Sequence, residues 1–125
     1  MSLVAVFFFF LIFLFPFPGY RKLSEVFESD LNLKETVAKL LEKETFACRK
    51  AYKHVAVHFN MKDVDYLERR YNPGEDVLVY LEACYPDLTV YHFCKVLKDN
   101  NIRRFDIVNK LVGYLIQIDR LDTKA

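Results

Sequence analysis

Two histidines at the spacing of one helical turn are the first residues of this sequence that could do chemistry. His54 and His58 are four residues apart, so two imidazoles on one helix face could share a metal ion. Val55 stands where the H-E-x-x-H motif of zinc proteases has glutamate, and no third ligand accompanies the pair. We therefore expect exposed or half-buried histidines here and no metal site.

The cysteines and glycines indicate no catalytic machinery. Cys94 follows His92 closely, but near neighbours on a helix point apart, so thiol and imidazole would not meet as nucleophile and base. Cys48, Cys84 and Cys94 form no C-x-x-C pair, which predicts reduced structural thiols. With only three glycines, the sequence has neither a phosphate-binding loop nor a G-x-S-x-G elbow. We predict that the chain is not an enzyme and uses no cofactor.

Charged residues of both signs are concentrated in two short stretches. Most such clusters are solvated surface, but two arginines at the positively charged start of a helix do not serve the stability of that helix. Clustered opposite charges are typical of surfaces that recognise proteins by complementary charge. The candidate interaction residues are Lys62, Asp63, Asp65, Glu68, Arg69, Arg70, Arg103, Arg104 and Asp106.

Turn and capping residues mark the helices that must position these clusters. Asn72-Pro73-Gly74 is a turn, because proline fixes its own backbone and disfavours helix at the preceding residue, while glycine tolerates conformations that other residues avoid. A helix should therefore begin near Glu75. Pro86 ends that helix, and the Thr89 side chain can cap the next one.

Apolar residues at helical spacing predict six helices and an all-α fold. Asp30 or Asn32 caps the first helix, whose apolar stripe runs from Leu33 to Leu41. The predicted helices span about residues 31–41, 47–59, 61–70, 75–85, 89–98 and 102–118. The large residues that we expect to share one core are Tyr52, Phe59, Leu67, Leu81, Phe93 and Phe105.

The order of these segments resembles the death domain, a six-helix interaction module of apoptotic and innate-immune signalling. LERR precedes the Pro-Gly turn, VLVYLEA follows it, and RRFDIVNKL opens the last helix. Upstream, FACRKAYKHVAVHFNM is similar to the second helix of that family, with Tyr52 where the family usually has tryptophan and Val55-Ala56 where it has a Leu-Ala pair. The resemblance implies an antiparallel six-helix bundle of death-domain type over residues 31–118.

Within that family, the chain looks most like the intracellular death domain of the netrin receptors of the uncoordinated class. The matching positions are Ala47-Cys48, Tyr52, Asn60-Met61, Pro73 and the run from Leu78 to Ala83. The death domains of Toll-pathway adaptors and kinases are similar in a more general way. Neither a kinase, a TIR domain nor a receptor ectodomain accompanies the pattern, so the pathway stays open.

The resemblance implies a non-catalytic signal-transduction module in apoptotic, innate-immune or guidance-receptor signalling. Its partners would be other death-domain proteins, in homotypic or heterotypic association. Arginines at positions 69, 70, 103 and 104 would meet acidic residues equivalent to Asp63, Asp65 and Glu68 on the partner. Such a module would act in the cytoplasm or at the inner face of the plasma membrane.

Two alternative functions belong to other classes. A helix-turn-helix interpretation of residues 75–98 would make the chain a nucleic-acid-binding domain. The would-be recognition helix, residues 89–98, is largely apolar with two lysines, and the formal net charge is only +1, so we expect no nucleic-acid partner. The other alternative is a membrane-anchored helical protein of unrelated function, which depends on residues 1–19.

The first 19 residues, MSLVAVFFFFLIFLFPFPG, are uncharged and almost wholly apolar. The interpretation that ranks first is a gene-model artefact, since pyrimidine-rich codons ending in Pro-Gly are what translation through an intron end produces. A membrane anchor ranks second and a cleaved signal peptide third. Residues 20–30 are then a linker or short helix, residues 31–118 the helical bundle, and residues 119–125 a polar tail.

Overall fold

The regular secondary structure of the described residues is helical throughout, as the apolar periodicity predicts. A computed structural model describes residues 20–45 and 49–124, with side chains as far as residue 118. The elements are α1 (Leu23–Ser29), α2 (Leu31–Glu42), α3 (Ala51–His58), a 3₁₀ helix (Val64–Arg69), α4 (Pro73–Cys84), α5 (Val90–Leu97) and α6 (Phe105–Lys124).

The predicted caps determine where two of these helices begin. The Leu33 amide donates to Oδ1 of Asp30 at 3.0 Å, and the His92 amide donates to the Thr89 hydroxyl at 3.1 Å. Each bond satisfies one of the amides that the first turn of a helix leaves without a partner. The Thr89 cap is therefore confirmed, and of the two predicted alternatives for α2 the structure uses Asp30. Helix α4 begins at Pro73, slightly before the predicted start near Glu75.

One core collects apolar side chains from all of the helices. Five of the six large residues assigned to it are buried, namely Tyr52, Phe59, Leu67, Leu81 and Phe93. The sixth assignment is wrong, because Phe105 is 52% exposed. Phe105 is the first residue of α6, and the inward stripe of that helix starts two residues later with Ile107, Val108 and Leu111.

Residues 23–29 form a short helix, which was one of the two predicted alternatives, a linker or a short helix, for residues 20–30. The side chains of Leu23, Val26 and Phe27 on α1 are buried in the core. The chain around Leu23 also lies alongside the start of α5, since the Leu23 amide donates to the Leu88 carbonyl at 2.8 Å and the Val90 amide to the Arg21 carbonyl at 2.9 Å. The packed unit therefore begins upstream of residue 31.

Gly74 lets α2 and α4 approach each other closely. No glycine among the described residues has a positive φ, so the turn-forming freedom predicted for Gly74 is not what the structure uses. A Cβ at this position would overlap the Ala38 carbonyl oxygen of α2. The Gly74 amide also donates to Oε1 of Glu42 at 3.0 Å. Gly74 therefore serves helix packing.

The last helix continues beyond the predicted end of the bundle at residue 118. It runs to Lys124, so residues 119–124 of the predicted polar tail are helical. Across residues 20–45 and 49–124, no helix combines the length and the apolar character that crossing a membrane requires. The apolar leader, residues 1–19, and the Ala47-Cys48 pair lie outside the described residues.

Candidate protein-interaction surface

Six of the nine charged residues that the sequence singled out lie on the 3₁₀ helix or within two residues of its ends. This helix packs against α3 and α4 through the buried Leu67, while Asp63, Tyr66 and Arg69 are exposed. A 3₁₀ helix has about three residues per turn, so side chains three apart lie one above another. Asp63, Tyr66 and Arg69 are at that spacing. We call this row of acid, tyrosine and arginine the 63/66/69 row.

The backbone around the start of this helix has an unusual conformation. Asp63, immediately before the helix, has a φ of 56°, in the left-handed region. Aspartate adopts this region more readily than most residues. The Asp63 carbonyl still accepts a hydrogen bond from the Tyr66 amide at 2.9 Å, which closes the first turn. The polypeptide therefore turns sharply into the helix at the acidic end of the 63/66/69 row.

A network of ion pairs ties the 3₁₀ helix to α3. Nζ of Lys53 lies 2.9 Å from Oδ1 of Asp65 and 3.0 Å from Oε1 of Glu68, which also accepts from Lys50 at 2.7 Å. The two ammonium groups lower the pKa of Glu68 to about 2, and the two carboxylates raise the pKa of Lys53. Lys50 and Lys53 were not among the predicted residues. No sequence pattern indicates these pairs, because they depend on how α3 packs against the 3₁₀ helix.

Arg70 holds the other side of the same helix in place. Its Nε donates to Oδ2 of Asp76 at 2.9 Å, and its guanidinium carbon lies 5.8 Å from the centre of the Tyr66 ring. Hydrogen bonding to Asp76 raises the pKa of Arg70. The planar guanidinium thus joins the first turn of α4 to Tyr66, and its charge is already balanced within the chain.

A shallow groove of about 750 Å³ runs along the 63/66/69 row. Val57 of α3 and Val64 give it an apolar floor beside the Tyr66 ring, and Val57 is 59% exposed. Unlike Lys53 and Arg70, Asp63 and Arg69 have no oppositely charged side chain within 4.0 Å among the residues that the structure describes. The exposed Lys62, beside Asp63, likewise has no acidic side chain within 4.0 Å among the described residues. The groove therefore has unbalanced charges of both signs at its edge.

The second charged stretch is arranged differently from the prediction. Arg104 is 1% exposed, so the expectation that it would meet a partner protein is wrong. Its guanidinium donates to the Leu40 carbonyl at 2.5 Å, to the Lys43 carbonyl at 3.1 Å and to both carboxylate oxygens of Asp106 at 3.0 and 2.8 Å. The carbonyls at the end of α2 need donors that the helix itself cannot supply.

The neighbours of Arg104 remain at the surface. Arg103 is exposed and has a φ of 48°, and α6 begins only at Phe105, so neither arginine opens the helix as the sequence suggested. The Asp106 side chain is 46% exposed, and its ion pair with Arg104 lowers its pKa. Arg104 contacts the end of α2, whereas the 3₁₀ helix contacts α3 and α4, so the two charged stretches are anchored to different helices.

Among the described residues, Cys84 and Cys94 form no nucleophile–base pair with a histidine. His54 and His58 are exposed, as expected, and burial raises the pKa of the Cys94 thiol to about 12, which makes it unreactive at neutral pH. Cys84 is exposed. Within the described part of the chain, no three side chains of histidine, cysteine, aspartate or glutamate are grouped so that they could hold a metal ion.

Comparison with known proteins found no matching family model, no matching curated protein and no matching solved structure. The resemblance to death domains therefore rests on the residue pattern alone, and it stays a prediction. What the structure adds is the placement of the predicted residues: the row at the 3₁₀ helix is exposed, and Arg104 is not.

Proposed function

We propose that this chain is a non-catalytic association module that binds other proteins through the face of its 3₁₀ helix. The observation that carries the proposal is the 63/66/69 row, which exposes a tyrosine between an acid and an arginine along a groove lined by two valines and by charged side chains. Tyrosine and arginine are the side chains most often found at the energetic centres of protein interfaces. The unbalanced charges of Asp63 and Arg69 supply the complementarity that orients a partner.

The surface is also held in position before any partner arrives. Ion pairs from Lys50 and Lys53 fix the outer side of the 3₁₀ helix, and Arg70 fixes the Tyr66 ring. A binding surface that is already ordered loses less conformational freedom on association than a flexible one. A surface that is ordered in this way is more typical of a recognition site than of a charged face that contacts only solvent.

The partner class that we propose is other death-domain proteins, in homotypic or heterotypic association within apoptotic, innate-immune or guidance-receptor signalling. Support comes from the residue pattern and from the all-helical fold, in which six of the seven described helices overlap the segments predicted from the sequence and α1 precedes them. The site of action would be cytoplasmic. With Arg104 excluded, the proposed contact residues on the 3₁₀ face are Lys62, Asp63, Asp65, Tyr66, Glu68, Arg69 and Arg70, while Arg103 and Asp106 would belong to a separate contact beside the end of α2.

Binding of purified death domains to the full chain tests this function. Death domains of netrin receptors and of Toll-pathway adaptors would be titrated onto the chain at low and high salt, with light scattering as the measurement. We expect association that weakens at high salt, and at least about a tenfold loss of affinity for Arg69→Glu. Lys110→Glu, the same charge change at an exposed position of α6, is the matched control.

Two results would contradict the proposal. The first is that none of these death domains binds the wild-type chain at any salt concentration. The second is that Arg69→Glu and Lys110→Glu bind with the same affinity and salt dependence as the wild type. Thermal unfolding of both variants establishes that they are folded, since both positions are exposed and substitutions there usually change stability by only about 0.5 kcal/mol.

A further inference from the structure

The 63/66/69 row has a property that its residues do not have individually: it is complementary to itself. The acid precedes the first residue of the 3₁₀ helix, the arginine is the last residue of the helix, and the tyrosine lies midway between them. At a rise of roughly 2.0 Å per residue, Asp63 and Arg69 are about 12 Å apart along the helix. Turning the row end for end exchanges the positions of the negative and the positive charge and leaves the tyrosine in place.

We propose that the groove along the 63/66/69 row binds the same groove of a second copy of this chain, with the two 3₁₀ helices antiparallel about a two-fold axis. Asp63 of each copy then faces Arg69 of the other, which balances the charges that have no partner within the described part of the chain. A two-fold interface repeats each contact twice, so one favourable pair becomes two.

The centre of the proposed interface is apolar and aromatic. Tyr66, which is 54% exposed, would lie on the two-fold axis against Tyr66 of the other copy, and Val57 from each α3 would cover the rings. Offset or edge-to-face packing of two rings is favourable and leaves both hydroxyls at the solvated edge. The contact surrounds an apolar centre with ion pairs, the usual arrangement of a protein interface.

Among the remaining charges nearby, one pair opposes this arrangement. In the antiparallel register, Lys62 of one copy approaches Arg70 of the other, and two cations would repel each other there. Arg70 is already paired with Asp76 at 2.9 Å, and Lys53 with Asp65 and Glu68, so these side chains bring balanced charges to the interface. Among the described residues near the groove, Asp63 and Arg69 gain the partner that they lack, whereas Lys62, which also has no acidic side chain within 4.0 Å, gains none in this arrangement.

The test is the molar mass of the full chain in solution, measured by sedimentation over a wide concentration range. We expect a monomer–dimer equilibrium that ends at the dimer, because a two-fold contact uses the groove of both copies. Arg69→Asp and Asp63→Lys should each weaken dimerisation by at least about tenfold, since each places like charges opposite one another. Tyr66→Ala should do the same and Tyr66→Phe should not.

Mixing the two charge variants provides the sharpest test. In a mixed dimer, the two introduced side chains would face each other as a lysine–aspartate pair, and the native Arg69 and Asp63 would face each other at the opposite end. An equimolar mixture should therefore dimerise about as well as the wild type. Lys110→Asp, the control with the same charge change as Arg69→Asp, should dimerise normally.

Because lysine is strained at the φ of 56° that Asp63 adopts, Asp63→Asn is the second variant, and it should weaken dimerisation without perturbing the backbone.

This inference rests on the proposed function only in treating the 3₁₀ face as an interaction surface, and the two can fail separately. A wild-type chain that stays monomeric at high concentration overturns the dimer, even if death domains bind it. Growth beyond the dimer, or a mixture of variants that fails to recover dimerisation, overturns the two-fold arrangement. A dimer restored by mixing supports the inference even where no death domain binds, a result that would count against the proposed function alone.

Discussion

Arg69-Arg70 and Arg103-Arg104 are both Arg-Arg pairs with acidic residues close by in the sequence, and their surroundings differ completely. Arg69 and Arg70 are exposed on the 3₁₀ helix, where Arg70 pairs with a surface carboxylate. Arg104 is buried against the end of α2 while Arg103 is exposed. The difference lies in what each arginine meets, because Arg104 lies against carbonyls at the end of α2, which require donors, whereas Arg70 meets the Asp76 carboxylate in the first turn of α4.

The Arg104 side chain suits its site by its shape as well as by its charge. A planar guanidinium presents donors in several directions, so one side chain can bind two carbonyls and a carboxylate together. Removing one partner from a buried, charged hydrogen-bonded group is far more costly than removing an exposed ion pair. The comparison therefore predicts opposite consequences for substitutions in the two pairs.

The largest effect should come from Arg104→Ala. We expect this change to reduce the free energy of unfolding by about 3–5 kcal/mol, because it removes the guanidinium bonds to the Leu40 and Lys43 carbonyls and the ion pair of Asp106. The Leu40 carbonyl then keeps its longer bond from the Lys43 amide, at 3.3 Å. Arg103→Ala is the matched control, and it should change stability by no more than about 0.5 kcal/mol. Urea unfolding of the two variants and the wild type at neutral pH gives the comparison directly.

Arg104→Lys separates charge from geometry at the same site. Lysine retains the positive charge, but its single ammonium group cannot reach two carbonyls and a carboxylate at the same time. We expect its stability to lie between those of the wild type and Arg104→Ala. Equal stability of Arg103→Ala and Arg104→Ala would contradict the predicted contrast, because it would mean that the buried Arg104 stabilises the fold no more than its exposed neighbour.

The sequence predicted the elements of this fold better than it predicted the surroundings of individual side chains. The helical class, the caps Asp30 and Thr89, and the stripe of α5 follow from local rules, since hydrogen bonding and periodicity act within a few residues. The predictions for Phe105 and Arg104 were wrong because their environments depend on where α6 begins and on which helix end lies against them. Such contacts join residues about 60 positions apart, and no local pattern contains them.

The interaction surface illustrates the same limit. The charges of the 63/66/69 row were identified from composition, but their alignment was not, because a helix with a longer period would have placed Asp63, Tyr66 and Arg69 at different angles. The tyrosine was not among the predicted contact residues for this reason. The D-x-x-Y-x-x-R spacing was visible in the sequence, and only the 3₁₀ geometry shows that it forms one exposed row.

A smaller effect should be seen in the acid dependence of stability, through Asp106. Its pKa is lowered in the folded protein by Arg104, so its contribution is fully present above the ordinary aspartate pKa of 3.8 and is lost as the pH falls through the folded value. Wild-type stability should therefore decline on acidification below about pH 4. In Asp106→Asn this part of the decline should be absent. Unfolding curves at several pH values, with Arg103→Ala as the control, measure the difference.

The smallest effect should come from Glu68→Gln, although Glu68 has the more strongly lowered pKa. Lys50 and Lys53 lower that pKa to about 2, so the ion pairs stabilise the fold above the usual glutamate range and are lost as the pH falls towards 2. The network is exposed to water and salt screens it, so the lowered pKa of Glu68 should correspond to only a small part of the free energy of unfolding.

We expect Glu68→Gln to unfold slightly more easily than the wild type at neutral pH and low salt. The difference should vanish at high salt and shrink as the pH approaches 2. A loss as large as that of Arg104→Ala would show that an exposed network can stabilise this fold as strongly as the buried arginine, and the contrast between the two arginine pairs would then have to be abandoned.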